Sequence, residues 1–169
     1  MTHWLLRLAR HRLIDERDTA NALGAEALKR IGAQVTASEK RHSGQIRVMV
    51  EAGLPISYLR REATPRQRAL AMFGKLRVWD TERNNGVLIY LLLAERAIEI
   101  VADRGLDRQV DAATWARIAV QMQERFRGSD FEAGLAFAID AIDAMLVCHF
   151  PRVPGEADVN ELPDAPVVR

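Results

Sequence analysis

Val87-Leu88-Ile89-Tyr90-Leu91-Leu92-Leu93-Ala94-Glu95-Arg96-Ala97-Ile98-Glu99-Ile100-Val101-Ala102 is the stretch on which the fold turns. Its first seven residues are uniformly apolar and suit a buried strand or a buried helix alike, so periodicity alone does not separate the two. The second part, from Ile98 to Ala102, begins with apolar and polar alternation and stops at Asp103-Arg104-Gly105. Two antiparallel strands turning through Ala94-Glu95-Arg96 account for both parts. That turn holds neither Gly nor Asn, the residues tight hairpin turns favour. A continuous helix through 87–102 would remove the hairpin and everything built on it.

Upstream, Gln45-Ile46-Arg47-Val48-Met49-Val50 alternates with Ile46, Val48 and Val50 on one face, the period of a strand. Past a loop around Gly53-Leu54-Pro55, Thr64-Pro65 reads as an N-cap followed by proline in the first turn of a helix through Ala69, Phe73 and Leu76. Strand, helix and strand make a βαβ unit, whose two strands run parallel, and the hairpin sends the third strand back. The start of the second strand therefore meets the end of the third.

Helices flank this unit. Residues 4–13 suit a short amphipathic helix, docked on its own domain with Trp4, Leu5, Leu8 and Leu13 inward and its arginines toward solvent, or else lying on a membrane surface. A second helix is expected from about Leu23 to His42, on Ala27, Leu28, Ile31 and Val35. Asp111 suits the N-cap of a helix with Trp115, Ile118, Met122 and Phe126 on one side, closed by Gly128. Phe131, Leu135, Ala138, Ile142 and Met145 mark another that ends before Pro151. The expected organisation is a helical extension over 1–22, an α/β domain over 23–150, and a Pro-rich acidic tail over 151–169 that drapes over the domain or frays.

A chain of 169 residues is long enough to bury one core without a disulfide or metal staple. Lys and Arg number 24 against 23 Asp and Glu, a balance with no net field to gather nucleic acid or an anionic membrane. The N-terminus is interrupted by basic residues too often for a signal peptide, and the longest apolar run, Val87 to Ala94, is far short of the roughly 20 residues of a membrane-spanning helix. A soluble, cytoplasmic protein is expected. The only cysteine, Cys148, reads as part of a buried helix face. The four histidines form no zinc pattern, and the glycines fall into no phosphate-binding or dinucleotide spacing, so neither zinc, haem nor nucleotide is expected. No catalytic nucleophile stands out.

If the hairpin holds, Asp80, Asn84 and Asn85 come near Asp103 at the polar end of the sheet, with Ser43-Gly44 beside them and Asp111 entering the next helix nearby. Carboxylates and amide oxygens on irregular loops are the hard ligands that Ca²⁺ or Mg²⁺ prefers. The same residues have structural uses: Asn84-Asn85-Gly86 as a turn, Asp111 as an N-cap, Asp103 as a partner for Arg104 or Arg83. Open α/β sheets usually bind ligands at the carboxyl ends of their parallel strands, but here that end offers mainly Glu51 and the Ala94-Glu95-Arg96 turn.

Three stretches carry a family resemblance: Arg41-His42-Ser43-Gly44-Gln45-Ile46-Arg47, Val78-Trp79-Asp80-Thr81-Glu82-Arg83-Asn84-Asn85-Gly86-Val87-Leu88-Ile89-Tyr90, and Glu99-Ile100-Val101-Ala102-Asp103-Arg104-Gly105. With Trp115, Phe131-Glu132-Ala133-Gly134 and His149-Phe150-Pro151 they resemble the TPM domain family over roughly residues 25 to 150. The resemblance implies a Rossmann-like three-layer α/β/α sandwich with a small mixed sheet and extra terminal helices. It also implies divalent-cation binding, with an acid phosphatase activity and repair of a photosynthetic membrane complex among its relatives. Protein partners, membrane-associated ones among them, follow as expectations, as does a weak metal-assisted phosphatase or a purely structural domain. The implied site positions are Asp80, Asn84, Asn85, Gly86, Asp103, Gly105 and Asp111. Many relatives carry glutamate where this chain has Gln45, which implies a weaker metal site. Many also carry a signal peptide and trailing anchor; this chain is expected to have neither, and so to meet Mg²⁺ rather than Ca²⁺.

Overall fold

The structure, a computed structural model, describes residues 2–14, 19, 22–127, 130–153, 155 and 160–169, with backbone alone for 2–4, 126 and 127. Strands β1 (Gln45–Glu51), β2 (Gly86–Leu92), β3 (Ala97–Ala102) and β4 (Val167–Val168) form one sheet in the order β3-β2-β1-β4. β1 pairs parallel with β2 from Gln45 opposite Gly86, and β3 returns antiparallel to β2, Val87 opposite Ala102. The expected hairpin is present. The apolar run lacks alternation because every residue of β2 is buried, its odd positions under one layer of helices and its even positions under the other.

One layer holds α2 (Ala25–Glu39), α6 (Ala112–Arg127) and α7 (Phe131–His149), the other α3 (Ile56–Arg60) and α4 (Pro65–Lys75). Ile31 and Val35 of α2 and Leu135, Ile139 and Ile142 of α7 pack on Ile46, Val48, Val87 and Ile89. Leu59, Ala69 and Met72 pack on Met49, Leu88 and Tyr90 across the sheet. Each fully buried Ile or Leu in these layers stabilises the fold by about 1.5–3 kcal/mol. Thr64 opens α4 through a reciprocal capping box with Gln67, as the Thr-Pro pair predicts.

The hairpin closes without glycine for a local reason. A single 3₁₀ turn, Leu93–Glu95, is followed by Arg96 at φ +48°, a left-handed residue that ends the four-residue loop between paired Leu92 and Ala97. Ala94 N–H donates to the Ala52 carbonyl at 2.9 Å, so the neighbouring loop holds a conformation that Arg alone disfavours.

Several expectations need correction. The second helix ends at Glu39, and His42 instead bridges to Pro151. α1 (Thr2–Leu13) docks on the domain, but through Arg7, Leu8 and His11; Leu5 and Leu13 are exposed, and Arg7 turns inward to Glu95 and the Ala63 carbonyl. The half-buried Glu95 carboxylate and the Ala63 carbonyl together outcompete solvent for that guanidinium. The side chains of Trp4 and Phe126 and the Gly128 helix stop lie outside the described residues. Cys148 is exposed, since α7 turns it away from the buried stripe of Ile139, Ile142 and Leu146. Of the two courses expected for the tail, residues 160–169 take the one over the domain and do not fray: Leu162 is buried, and β4 adds a strand paired parallel with Met49 and Val50. No described helix is long and apolar enough to cross a membrane.

Candidate functional site

The corner where β2 begins and β3 ends is built by a tight return from α4. Asp80 N–H donates to Arg77 O at 2.9 Å, Asn84 N–H to Thr81 O at 3.1 Å, and Asn85 N–H to Thr81 Oγ1 at 3.1 Å. Asn84 takes φ +52°, which its short polar side chain tolerates. At Gly86 any Cβ would run into the Val78 carbonyl, and at Gly105 into that of Asn84, so only glycine permits these approaches. Asp103 N–H donates to Gly86 O, and Gly105 N–H to Asn84 O, both at 2.8 Å. Asn84, Asn85 and Asp103 are thereby brought together at the polar end.

Asp103 caps the short helix α5 (Arg104–Asp107): its Oδ1 accepts from Arg104 N–H at 2.7 Å. Its other oxygen, Oδ2, is buried and has no hydrogen-bond partner among the described residues. The same is true of Asn85 Oδ1 in a side chain with no solvent exposure, whose Nδ2 donates to Ser43 Oγ at 3.4 Å. Two guanidiniums stand at the rim, Arg104 donating to Asn84 Oδ1 at 3.3 Å and Arg83 to Ser43 Oγ at 3.4 Å. Arg104 thus engages Asp103 through its backbone, not its side chain.

The other two candidates differ in kind. Asp80 is exposed. Asp111 is an exposed N-cap with both oxygens on Thr114, at 2.8 Å to its N–H and 3.0 Å to its hydroxyl, and the Thr114 N–H holds the Asp111 carboxyl below its usual range. Among the described residues no three His, Cys, Asp or Glu side chains converge as metal ligands. Any ion at this corner would rest on amide and backbone oxygens as well as carboxylate.

Gln45 faces the tail instead of this corner: its Oε1 accepts from Glu161 and Leu162 N–H at 3.0 and 2.9 Å. Arg47 reaches the carbonyls of Pro163 and Ala165, the latter at 2.6 Å. The Gln in place of Glu therefore bears on how the tail is held.

The carboxyl ends of β1 and β2, where the sequence offers mainly Glu51 and the Ala94-Glu95-Arg96 turn, carry a larger network. Arg68 meets Glu51 through two hydrogen bonds at 2.9 and 2.5 Å, and Tyr90 donates its hydroxyl to Glu51 Oε2 at 2.6 Å. All three side chains are buried, and burial pushes the Tyr90 phenol up. α1 covers the nearby hairpin turn, His11 Nε2 lying 2.8 Å from Glu95 Oε1 and its Nδ1 accepting from Leu54 N–H at 3.0 Å. A second network buries Ser38, His42 and Asp143, with Ser38 Oγ 2.9 Å from both His42 Nε2 and Asp143 Oδ1, and the exposed Arg41 pairs with Asp143 from outside. The strand-end Glu51 and a charged residue on the apolar stripe of α4 were the available signals for the first network.

A mixed sheet between two helical layers, with irregular oxygen-rich loops at its polar end, defines a Rossmann-like α/β/α module. A TPM domain model matches residues 17–145, and the chain belongs to the TPM domain family. It is similar to the BA42 protein of the psychrophilic bacterium Bizionia argentinensis, solved by NMR, at 28% identity over 87% of this chain and 95% of that one, with a TM-score of 0.75. It shares its fold with the N-terminal domain of a P. gingivalis protein at 18% identity and TM-score 0.59, covering 83% and 94% of the two chains. No curated protein matches it.

Proposed function

We propose that this TPM module binds a divalent cation at Asn85 and Asp103, with Asn84 and Asp80 at the rim, and acts through protein partners in the maintenance of membrane proteins. The observation that carries the cation is the pair of buried oxygens without a hydrogen-bond partner among the described residues, Asn85 Oδ1 and Asp103 Oδ2, at the junction of β2 and β3. Leaving one such oxygen unsatisfied costs about 1–3 kcal/mol, more for a charged group, and carboxylate and amide oxygens are the ligands a hard cation prefers. Few protein oxygens are free there, which suits Mg²⁺, an ion that keeps several waters, better than Ca²⁺ with its 6–8 oxygen ligands. That preference agrees with a cytoplasmic setting. Family membership is the support for the partner reading.

A second reading, a weak metal-assisted phosphatase, draws on Arg83 and Arg104, which reach Ser43 and Asn84 at the rim of the same corner, since guanidiniums recognise phosphate. A bound cation would supply Lewis-acid stabilisation of a phosphoryl group. With no nucleophile or general base identified, turnover of a model phosphomonoester is expected below about 1 s⁻¹.

Calorimetric titration of the purified chain with MgCl₂ and CaCl₂ tests the proposal. Binding is expected in the wild type and in Asp111→Ala, and is expected to be lost in Asn85→Ala and Asp103→Ala. Binding that survives Asp103→Ala, or no binding of either ion at millimolar concentration, overturns it.

A further inference from the structure

β3 is the outermost strand of the sheet, and among the described residues no strand pairs with its far side. Its register says which groups face outward. Asp103 N–H donates to Gly86 O, so the hydrogen-bonded pairs with β2 fall on Asp103, Val101, Glu99 and Ala97. The peptide N–H and C=O of Ile98, Ile100 and Ala102 therefore point away from β2. Arg66 of α4 confirms this side by donating to the Ile100 carbonyl.

This edge forms the floor of a groove of about 350 Å³ rather than a flat rim. One wall is Arg66, whose guanidinium also lies 3.8 Å from Glu99; the other is the exposed alanine face of α6, Ala112, Ala116 and Ala119, with Trp115 between. Trp115 Nε1 is buried there without a hydrogen-bond partner among the described residues. Alanines leave space beside the strand that larger side chains would fill.

We propose that the β3 edge takes up a single extended peptide segment of a partner protein as a fifth strand, its backbone pairing with Ile98, Ile100 and Ala102. The peptide's alternate side chains face two different walls, so the segment that fits alternates apolar residues toward the alanine face with polar residues toward Arg66 and Glu99. A single strand fits better than a second copy of this chain, because a second sheet would bring its own α4 and α6 against the walls already lining the groove. Arg66 guards the edge in the free protein, as charged side chains do on natural edge strands, and must release Ile100 when the peptide binds.

A displayed library of linear nonapeptides alternating β-branched and polar residues, panned on the wild type with Ala116→Arg as the counter-target, tests this. Ala116 is exposed, so the arginine fills the groove without entering the core. Selected peptides are expected to keep the alternation, to bind the wild type at least 10-fold more tightly than Ala116→Arg, and to bind Arg66→Ala more tightly still. On binding, amide exchange at Ile98, Ile100 and Ala102 should slow at least 10-fold while Ala97, Glu99 and Val101 change little. No enrichment over Ala116→Arg, or binders that leave those three amides unprotected, overturns the proposal. So does protection that appears without peptide as the protein dimerises, which would assign the edge to a second copy.

Discussion

The two ends of the sheet hold polar groups of similar burial and opposite condition. At the carboxyl ends of β1 and β2, Glu51 spends both oxygens on Arg68 and Tyr90. At the amino end of β2, Asp103 and Asn85 each keep a buried oxygen without a partner among the described residues. A satisfied network has nothing left to offer a ligand, whereas an unsatisfied one is costly until something fills it. Charge and burial alone would rank the Glu51 cluster first; hydrogen-bond accounting reverses the order.

The comparison breaks first at Arg68. Replacing one partner of a buried ion pair strands the other, so Arg68→Ala is expected to cost about 3–5 kcal/mol in urea unfolding. At about 2–4 °C per kcal/mol for a chain of this size, Tm falls by roughly 10 °C. The cation titration should survive, since Arg68 lies at the other end. A loss below about 1 kcal/mol would show that Glu51 finds other partners and that the two ends differ less than the geometry implies.

How much of this the sequence disclosed depends on the range of each interaction. β1 was legible because its alternation is a local pattern, and Thr64, Gln67 and Asp111 carry their caps within four residues, whereas the doubly buried run of β2 suited strand or helix alike and read as a strand only beside the alternation of β3 and the family resemblance. The gathering of Asn84, Asn85 and Asp103 followed from topology alone. What stayed hidden spans the chain: Gln45 and Arg47 clamp residues more than 100 positions away, and Ser38 meets Asp143. Hydropathy placed Arg7 and Cys148 on the wrong sides, because a carboxylate at Glu95 draws Arg7 inward and Cys148 lies off the buried stripe of Ile139, Ile142 and Leu146 on α7. Nor can spacing tell which oxygens of an acidic cluster are already spent.

His42 offers an intermediate case, buried like Glu51 yet carrying a latent cost. Burial lowers its pKa to about 4 from the ordinary 6.5, and nearby Asp143 does not offset this, being engaged with Ser38 and Arg41. The neutral ring carries its proton on Nδ1, donating to the Gly44 carbonyl at 3.1 Å, and leaves Nε2 as the acceptor facing Ser38 Oγ at 2.9 Å. Above pH 6.5 the imidazole is neutral folded or unfolded and costs nothing. As pH falls from 6.5 toward 4 the unfolded chain takes up the proton first, so stability drops by about 3 kcal/mol across that window and levels below it. In His42→Gln that part of the acid slope should disappear. An unchanged slope in the variant would assign the loss to carboxylates instead.

The smallest expected effect bears most directly on the contrast between the ends. Asp103→Asn keeps an oxygen to cap α5 through Arg104 N–H, and it exchanges an unpaired buried carboxylate for a neutral amide that brings donors of its own. In EDTA its stability should therefore lie within about 1 kcal/mol of the wild type, in contrast to Arg68→Ala. Adding Mg²⁺ then separates the two proteins, because only the wild type has a cation to gain: at 100 times Kd that gain is about 2.7 kcal/mol. Were Asp103→Asn to lose 3 kcal/mol or more in EDTA, its carboxylate would be part of the fold's own hydrogen bonding, and the two ends of the sheet would be alike after all.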